Sequence, residues 1–596
     1  MEEQGGFRPG RGTEDQLFAL TEILHSRGRH VTTYAAFIDV KKAYDTVWRD
    51  GLWKRLWDEG VRGRVWRVIK NMYSVVQSAV LVGEEQTEWF DLSTGVRQGC
   101  VMSPVLFSLF INGLAREIIE KTVGVAVGKR RVRLLLYADD IVLLAESASD
   151  LQRMLDIVTA YSKQWRFRVN PKKGKSEVML FGRKPRNKER KWWLAGVEIG
   201  ETSVYKYLGV ELKSGLCFKQ YKARIVAEAR KRMMHVWAMG MRGGELAVQD
   251  CVRVWQALVR PVLEYGTVVW GEVKWEEAEQ VQREMGKMIL RCSSKMTNEV
   301  VLGELGWWTL KGRRDFLTLN YWGKIVGGMS PKRLVSQVYH ASRSRYDDMT
   351  SDSNHSDHSK HTNYTQRNNK WCKNIHSILK SIGMEVTWNK NTLTRKEAKN
   401  WRYTVKEKIQ EREELQWKER MQHKPKLRTY RQLKTKLQFE HTYLTMRDRE
   451  AREVMTRLRG GTNELRIETG RYAITNRDRP LDAHERRCLI CLSGEIEDET
   501  HFVLDCSVYE DLREKMFGVL KRTLAKQQKL QATQQPLLDI HKARKEEEGR
   551  KKLMAGLIGE SSVSTNERLR KAVLLFCTRA MKRRNNFVRT ALDQMT

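Results

Sequence analysis

The sequence is poor in proline, in long apolar runs and in cysteine. It has 9 Pro among 596 residues, with 41% hydrophobic and 31% charged residues, which excludes a collagen-like chain and wholesale disorder. Apolar stretches such as 104–114 soon end at a charge, whereas a spanning helix needs about 20 residues. We therefore expect no transmembrane helix and no membrane partner. The 9 Cys, an odd count, do not make a disulfide scaffold in a chain this long and favour a reducing compartment.

The charge balance is strongly basic. Lys and Arg total 109 against 73 Asp and Glu, which gives a net charge of +36. A surplus that large indicates a polyanionic partner. Because the chain has no lipidation motif and no isolated basic amphipathic anchor, nucleic acid is favoured over a membrane surface. A generic basic protein is the alternative.

The pattern along the chain predicts several domains. Residues 1–212 read as mixed α and β, with β-rich runs at 32–40, 132–144, 177–182 and 205–212 between helical patterns. The pattern of 213–341 is helical. A change to Ser, Asp, Asn and His at 342–370 predicts a flexible linker. We expect a basic, mostly helical domain at 371–520, and a charged segment with a final helix at 521–596.

Three aspartates carry the chemistry of the first domain. Asp139 and Asp140 lie between two strand-like apolar runs, and Asp39 ends another strand. Two carboxylates between buried strands are costly unless they lie at the tip of a hairpin. If the strands are neighbours, the three carboxylates converge and need divalent cations to neutralise them. Oxygen-only sites suit Mg²⁺, and two such ions support nucleotidyl transfer. A solvated surface turn is the alternative.

The order of these residues resembles the palm of reverse transcriptases. Tyr44 follows Asp39 by five residues, and Tyr137-Ala138 directly precede the two acids. The segment 95–104 resembles the family's glycine-rich turn that opens a helix, and 170–176 and 205–209 resemble its next two motifs. The resemblance implies an α+β right-hand polymerase fold. Its palm, a mixed antiparallel sheet with packed helices and a partial fingers region, would occupy 1–212, and a helical thumb 213–341.

The resemblance also implies roles for single residues. Asp39 and Asp139, with Asp140 beside them, would be catalytic and hold two Mg²⁺ ions, with Mn²⁺ as an alternative, whereas Asp45 would help to fold its turn. Tyr44 would exclude a 2′-hydroxyl, and Lys175 would act on the pyrophosphate. An ordinary core aromatic and a solvated basic loop are the alternatives for these two. The expected nucleotide-binding residues are Tyr44, Gln98, Gly99, Lys175 and Arg8, and the expected primer grip is Tyr207, Leu208 and Gly209.

The amino-acid sequence of 37–47, with that of 6–11 upstream, resembles the non-LTR (LINE-type) retrotransposon branch of the family. This implies an RNA-directed DNA polymerase that uses an RNA template, a DNA primer or target and dNTPs, and that acts in the nucleus. Polymerase domains of this branch normally begin well before the segment at Gly6. We therefore expect an N-terminally truncated chain that lacks most of the fingers. A catalytically inactive remnant that binds RNA is the alternative.

The C-terminal half carries a metal-ligand pattern. Cys488 and Cys491 are separated by two residues, His501 follows after nine more and Cys506 after another four. Three thiolates and one imidazole can make a closed, structural Zn²⁺ site, and buried unligated Cys is the alternative. The pattern resembles the CCHC zinc finger, here at 488–506, that LINE-type proteins carry after the thumb.

Two basic runs are candidate RNA contacts. The first is 424–436 around Tyr430, and the second is 183–191 before Trp192 and Trp193. Each could grip a phosphate backbone and stack a base on its aromatic side chain. A solvated charged face is the alternative for both runs.

Overall fold

The fold is described from a computed structural model, for residues 1–183, 185, 190–243, 246–271, 275–351, 370–472, 480–531, 539–560 and 566–593. It is α+β and divides into two compact units. Unit 1 comprises Met1–Arg224, Gly266–Val273 and Leu317–Val405, and unit 2 comprises Ile225–Tyr265, Lys274–Phe316 and Lys406–Thr596. Every strand that the structure describes lies in unit 1, and unit 2 is helical.

An antiparallel four-stranded sheet is the centre of unit 1. Its strands run in the order Glu177–Phe181, Thr33–Ile38, Asp140–Ala145 and Leu134–Tyr137. The strand Thr33–Ile38, called the central strand below, is buried along its whole length because it pairs on both sides. Tyr34, Ala36 and Ile38 pack on one large core that the neighbouring helices complete, whereas Phe37 packs on Tyr205 and Tyr207. The strands predicted at 32–40, 132–144 and 177–182 are confirmed.

Short hairpins and helices surround this sheet. Five two-stranded pairs accompany it among the described residues: Gln77–Ser78 with Phe90–Asp91, Leu81–Val82 with Glu85–Gln86, Val125–Val127 with Arg130–Val132, Trp192–Leu194 with Val197–Ile199, and Val204–Tyr207 with Val210–Lys213. The last pair confirms the strand pattern predicted at 205–212. The helices of unit 1 are Thr13–Arg27, Arg49–Asp58, Gly63–Asn71, Ser103–Lys121, Ala148–Gln164, Thr267–Trp270, Leu334–Ser351, Lys370–Ser381 and Glu385–Lys390.

Part of the predicted linker is helical. The helix Leu334–Ser351 continues through the first ten residues of the segment 342–370, and Ser342 and Arg343 are buried in it. Ser342 donates a hydrogen bond to Glu22, and the Arg343 guanidinium lies 3.6 Å from the ring centre of Trp388. The linker prediction was therefore wrong for these ten residues. Their polar composition suggested solvent exposure, but partners far away in the sequence, such as Glu22 and Trp388, bury part of the segment. The rest of that prediction, at 352–369, lies outside the described residues.

The compact units also differ from the expected linear division of the chain. The segment 317–405 belongs to unit 1, where Tyr321 and Trp371 contact Phe18 at ring-centre distances of 5.5 and 4.7 Å. Asp15 on the same N-terminal helix is 2% exposed and pairs with Lys324 and Arg333. The residues expected to form the thumb are thus distributed over both units.

Unit 2 is built from helices around a buried ionic network. Arg459 pairs with Glu304 at 3.0 Å and with Glu440 at 2.8 Å, and these side chains are at most 2% exposed. Burial alone disfavours the charge on Glu440, but Arg459 and Lys434 outweigh it and lower the pKa of Glu440 to about 2. The α-helices within this unit are Val248–Val254, Arg260–Glu264, Glu276–Leu290, Asn298–Leu305, Tyr430–Leu433, His441–Leu444, Arg449–Arg459, Arg466–Thr469, Glu510–Gln531, Ile540–Lys545, Glu547–Ile558 and Glu567–Asp593.

Three helices, Lys219–Val236, Leu310–Val326 and Arg395–Gln422, continue from one unit into the other. Segments with π-helical turns lie at Trp237–Met241, Trp255–Val259 and His501–Asp505, and 3₁₀ turns at Pro425–Leu427, Ala483–Glu485 and Ser507–Tyr509. In the part of the chain that the structure describes, no helix is both long and apolar enough to span a bilayer.

Candidate active site

Asp39 lies directly after the central strand. The chain continues there into an isolated bridge between Val40 and Val169, which brings Asn170 beside it. Asn170 donates from Nδ2 to Asp39 Oδ2 at 2.9 Å, and the backbone N–H of Asp39 donates to Ser176 Oγ at 3.1 Å. Lys175 Nζ lies 3.8 Å from Asp39 Oδ1. The carboxylate is therefore oriented by an amide on one oxygen and faces a cation on the other.

Asp139 and Asp140 lie at the tip of the hairpin formed by Leu134–Tyr137 and Asp140–Ala145, called the aspartate hairpin below. Tyr137 pairs with Asp140, so Ala138 and Asp139 form a two-residue turn in which Ala138 has a φ of +58°. This left-handed backbone costs about 1–2 kcal/mol for a residue with a Cβ. The tertiary contacts of the turn must therefore hold it.

The N-terminal arm, residues 3–6, supplies those contacts. The backbone N–H of Leu136 donates to Glu3 O at 2.9 Å, and that of Gly5 donates to Leu136 O at 2.8 Å. The side-chain oxygen of Gln4 accepts hydrogen bonds from the N–H of Gly6 at 2.9 Å and of Ala138 at 3.2 Å. A Cβ on Gly6 would lie 2.3 Å from Ala138 N, so only glycine allows this approach.

The sheet brings the three aspartates to one end. In the pairing of the central strand with the aspartate hairpin, Ile38 faces Ile141, so Asp39 and Asp140 continue adjacent strands at the same edge. Burial, followed by the charges of Asp139 and Asp39, raises the pKa of Asp140 to about 6. Burial and the charge of Asp39 also raise the pKa of Asp139. A site with this mutual repulsion favours a bound cation.

The glycine-rich segment packs against the turn that follows Asp39. Gly95 donates its N–H to Val47 O at 2.9 Å, and Gln98 Nε2 donates to Asp45 Oδ1 at 2.7 Å. Gly99 has a φ of +81° with no atom within 4 Å of a Cβ built there, and the helix Ser103–Lys121 begins four residues later. Gln98 is therefore held by Asp45, and the backbone at Gly99 is open to approach.

Tyr44 lies between this segment and the aspartates. Its ring stacks on Phe107 with centres 5.3 Å apart, and its hydroxyl oxygen is buried with no hydrogen-bond partner among the described residues. Burial and the charge of Asp139 raise the pKa of Tyr44. The ring is thus packed against the core, as the core-aromatic interpretation expects, while exclusion of a 2′-hydroxyl by Tyr44 stays a prediction.

The residues expected to grip a primer form a tight hairpin. Tyr207 pairs with Val210, and both turn residues have positive φ, +43° at Leu208 and +82° at Gly209. Tyr207 is 2% exposed and packs on Phe37 of the central strand. Burial and then the charge of Asp140 hold the pKa of Tyr207 well above its usual range. The hairpin is therefore anchored beside the aspartates.

Arg8 is engaged on the N-terminal arm. Its guanidinium donates to the carbonyl oxygen of Met1 and, at 3.4 Å, to that of Gln4, and it lies 4.0 Å from Glu2. Binding of a nucleoside triphosphate by Arg8 stays a prediction. Gln4 and Asn170, by contrast, form hydrogen bonds with Ala138 and Asp39. The sequence analysis predicts neither contact, although Asn170 belongs to the motif-like segment 170–176.

Unit 2 contains the expected Cys/His cluster. One ligand atom from each of Cys488, Cys491, His501 and Cys506 lies within 4.8 Å of the others. Cys491 Sγ is 3.4 Å from His501 Nε2. A hydrogen bond with Cys506 is the largest of the effects that hold the pKa of Cys488 well below its usual range, which favours the thiolate that binds metal.

Buried ion pairs hold the loop between the Cys pair and His501 in place. Glu497 is 2% exposed and accepts two hydrogen bonds from Arg584, at 2.7 and 2.8 Å. Glu499 is 1% exposed and pairs with Arg428 at 2.7 Å. These buried ion pairs add to whatever a metal contributes to the local fold.

The run 424–436 does not offer a base-stacking aromatic. Tyr430 is fully buried against Trp417, and Lys434 pairs with Glu440 and Glu560 with no exposed surface. The prediction that Tyr430 stacks a base was therefore wrong, because the ring packs in the core of unit 2. In the run 183–191, residues 184 and 186–189 lie outside the described residues. Trp192 after it is buried, and Trp193 is 45% exposed.

The comparisons with known proteins agree with this geometry. Residues 1–212 match the model of the family described as reverse transcriptase (RNA-dependent DNA polymerase). These residues carry a reverse transcriptase domain, and relatives of the chain are named as polymerases or polyproteins of mobile elements, transposons and retrotransposable elements.

One relative is the RNA-directed DNA polymerase from mobile element jockey of Drosophila funebris, 26% identical over 49% of this chain and 32% of its own length. Another is the probable RNA-directed DNA polymerase from transposon BS of Drosophila melanogaster, 30% identical over 45% of this chain and 30% of its own length. The chain thus spans about a third of the length of these curated relatives. A telomerase structure from Candida albicans aligns with 67% of this chain and 49% of its own at 11% identity, with a TM-score of 0.26, too low to support an argument.

Proposed function

We propose that this chain is an RNA-directed DNA polymerase of a non-LTR retrotransposon, which extends a DNA primer on an RNA template from dNTPs. The observation that carries the proposal is the meeting of three aspartates at one end of the strands of the sheet in unit 1. There the reverse transcriptase domain gathers Asp39, Asp139 and Asp140, and burial and like charge raise the pKa of Asp140 to about 6. Half-buried carboxylates that repel one another are stabilised when they share bound cations.

Asp39, Asp139 and Asp140 are the residues we propose to hold two Mg²⁺ ions, or Mn²⁺ in their place. Divalent cations bound there supply the positive charge that favours ionisation of a primer 3′-hydroxyl and stabilises a leaving pyrophosphate. The protein contributes orientation: Asn170 fixes one oxygen of Asp39, and the N-terminal arm fixes the turn that carries Asp139. An anchored set of carboxylates needs little rearrangement during the reaction.

The nucleotide is proposed to lie between the glycine-rich segment and Lys175. Gly99 leaves room for close approach of a phosphate or sugar, and Gln98 is positioned by Asp45. The side chain of Lys175 is 55% exposed beside Asp39, where its charge complements a triphosphate. Tyr44 is proposed to exclude a 2′-hydroxyl, and the hairpin of Tyr207, Leu208 and Gly209 to hold the primer end.

For the rest of the chain we propose a helical thumb and a zinc finger. Cys488, Cys491, His501 and Cys506 suit structural Zn²⁺ because three thiolates and an imidazole complete a tetrahedral set. The net charge of +36 suits a polyanionic template and primer. We expect the protein to act in the nucleus, which imaging of a tagged full chain would test.

The test is primer extension on poly(rA) with an oligo(dT) primer, dTTP and Mg²⁺. Wild type is compared with Asp139→Asn, which keeps the shape of the side chain, and with Asp156→Asn as a control. Asp156 is an exposed helix residue that accepts a hydrogen bond from Gln152. We expect synthesis by wild type and the control, and loss of about 100-fold or more in Asp139→Asn.

A second template series, with poly(dA) and with UTP in place of dTTP, separates RNA-directed DNA synthesis from other polymerase activities. Absence of synthesis by folded, RNA-binding wild type would contradict the proposal for this chain. That outcome would favour a catalytically inactive remnant that binds RNA.

A further inference from the structure

Unit 2 contains an open cleft of about 420 Å³ that the proposed function does not use. Trp307, Trp308, Arg260, Arg313, Lys406 and Gln256 are among the residues that line it, and we call it the Trp307 cleft. One wall is the π-helical turn Trp255–Val259, after which the helix Arg260–Glu264 begins. Such turns cost backbone geometry and often mark functional sites.

The aromatic wall of the cleft has an unsatisfied donor. Trp307 stacks on Trp255 with ring centres 5.5 Å apart and planes at 24°. Trp307 is 6% exposed, and its Nε1 has no hydrogen-bond partner among the described residues. Arg260 Nε is also buried and makes no hydrogen bond among the described residues, although the carboxylate of Glu264 lies 3.5 Å away. An unpaired buried donor costs about 1–3 kcal/mol. A ligand that places a hydrogen-bond acceptor at this wall would recover part of that free energy.

The charge of the lining is positive. Arg260, Arg313 and Lys406 contribute cations, and none of the described lining residues is acidic. Glu264, just outside, lies 3.5 Å from Arg260 Nε and 2.9 Å from Arg313 Nε. One carboxylate therefore fixes two guanidinium groups in place without neutralising the set, and Lys406 on the helix Arg395–Gln422 is exposed at the rim. This arrangement favours an anion.

The polar groups of the cleft are of the kind that read a base. Gln256 and Gln410 line it, and each carboxamide offers both donors and an acceptor. Gln282 Nε2 donates to Trp308 O at 2.8 Å, which fixes the backbone directly after the second tryptophan. Flat aromatic surface, carboxamides and guanidinium groups together match a nucleobase that carries a phosphate.

We propose that the Trp307 cleft binds a nucleotide, with its phosphate at Arg260, Arg313 and Lys406 and its base against the half-buried ring of Trp308. The ligand is either a free mononucleotide or one unpaired nucleotide of an RNA strand. The site is separate from the aspartates, which lie in unit 1.

The test is photolabelling of the full chain with 8-azidoadenosine 5′-monophosphate, followed by mapping of tryptic peptides. The diagnostic product is the labelled peptide 296–311, which contains both tryptophans. A parallel reaction uses a 12-nucleotide single-stranded RNA with one 4-thiouridine. The variants are Lys406→Glu and, as a matched control, Lys399→Glu, an exposed lysine on the same helix that does not line the cleft. Arg260→Gln provides a second variant inside the cleft.

We expect labelling of 296–311 that unlabelled AMP competes and that falls roughly tenfold in Lys406→Glu but less than about twofold in Lys399→Glu. Labelling by both probes or by the mononucleotide alone indicates a free nucleotide, and labelling by the RNA alone indicates a strand. The proposal is overturned if neither probe labels this peptide, if inorganic phosphate competes as well as AMP, or if both lysine variants weaken labelling equally. Asp139→Asn should leave the labelling unchanged, so the result does not depend on polymerase activity.

Discussion

The contact between Gln4 and the turn of the aspartate hairpin makes a sharp prediction. Gln4 is 1% exposed, and its side-chain oxygen accepts from Gly6 N at 2.9 Å and from Ala138 N at 3.2 Å. Replacing it by leucine keeps the bulk but leaves both N–H groups without that acceptor. Each buried unsatisfied N–H costs about 1–3 kcal/mol, and the arm relaxes in part. We therefore expect Gln4→Leu to lower the free energy of opening this hairpin by about 2 kcal/mol or more.

The assay is hydrogen–deuterium exchange with mass spectrometry on peptides that cover 134–141, which does not depend on enzyme activity. A loss of about 2 kcal/mol corresponds to roughly thirtyfold faster exchange if opening is local. Primer extension supplies a second reading, in which kcat should fall more than KM changes because the position of Asp139 shifts.

The matched control is Gln16→Leu. Gln16 is also buried and contacts the same arm, but through a single 3.4 Å hydrogen bond from Nε2 to Glu3 O. It should leave exchange at 134–141 within about threefold of wild type. Equal exchange in Gln4→Leu and wild type, or equal acceleration in both variants, would refute the claim that Gln4 holds the turn.

Three further predictions concern the metal centre, the ionic network and the glycine-rich segment. Purified protein should contain one Zn²⁺ per chain by elemental analysis, and Cys506→Ser should lose it and melt at a lower temperature. Because the pKa of Glu440 is about 2 rather than 4.5, its contribution of roughly 3 kcal/mol is present above pH 4.5 and lost as the pH falls towards 2. In Glu440→Gln, the free energy of unfolding should therefore lack this decrease between pH 4.5 and 2, and it should also be lower than that of wild type at pH 7. Gly99→Ala should cost only about 1 kcal/mol of backbone strain, whereas Gly95→Ala, whose Cβ would lie 2.8 Å from Asp45 O, should cost more in urea unfolding.

Local pattern was enough to predict the strands and the turn that carry the candidate catalytic residues. The central strand and the aspartate hairpin are apolar runs that stop at acids, and both lie where these runs and the Asp139-Asp140 pair indicate. The Cys/His cluster was equally accessible, because metal ligands are set by residue type and spacing, and the structure gathers all four. In each of these elements the informative residues lie close together in the chain.

The parts that could not be predicted depend on partners far away in the sequence. Gln4 meets Ala138 across 134 positions, and Asn170 meets Asp39 across 131. Nothing local distinguishes either amide from a solvated one. Lys434 reads as part of a basic surface, yet its partner Glu560 lies 126 positions later. Long-range packing and ion pairs thus bury Tyr430 and Lys434, although the other basic residues of the run stay partly or fully exposed.

The path of the chain has a consequence for how the protein is made. The backbone passes between the two units five times, and unit 1 receives its last segment, Leu317–Val405, only after two segments of unit 2, Ile225–Tyr265 and Lys274–Phe316, have been synthesised. The N-terminal helix therefore leaves the ribosome long before Tyr321 and Trp371 exist to cover Phe18. A nascent chain that stops near residue 212 would display this apolar face to chaperones. The shortest N-terminal fragment that contains all of unit 1 comprises residues 1–405, and a fragment of residues 1–212 lacks part of this unit.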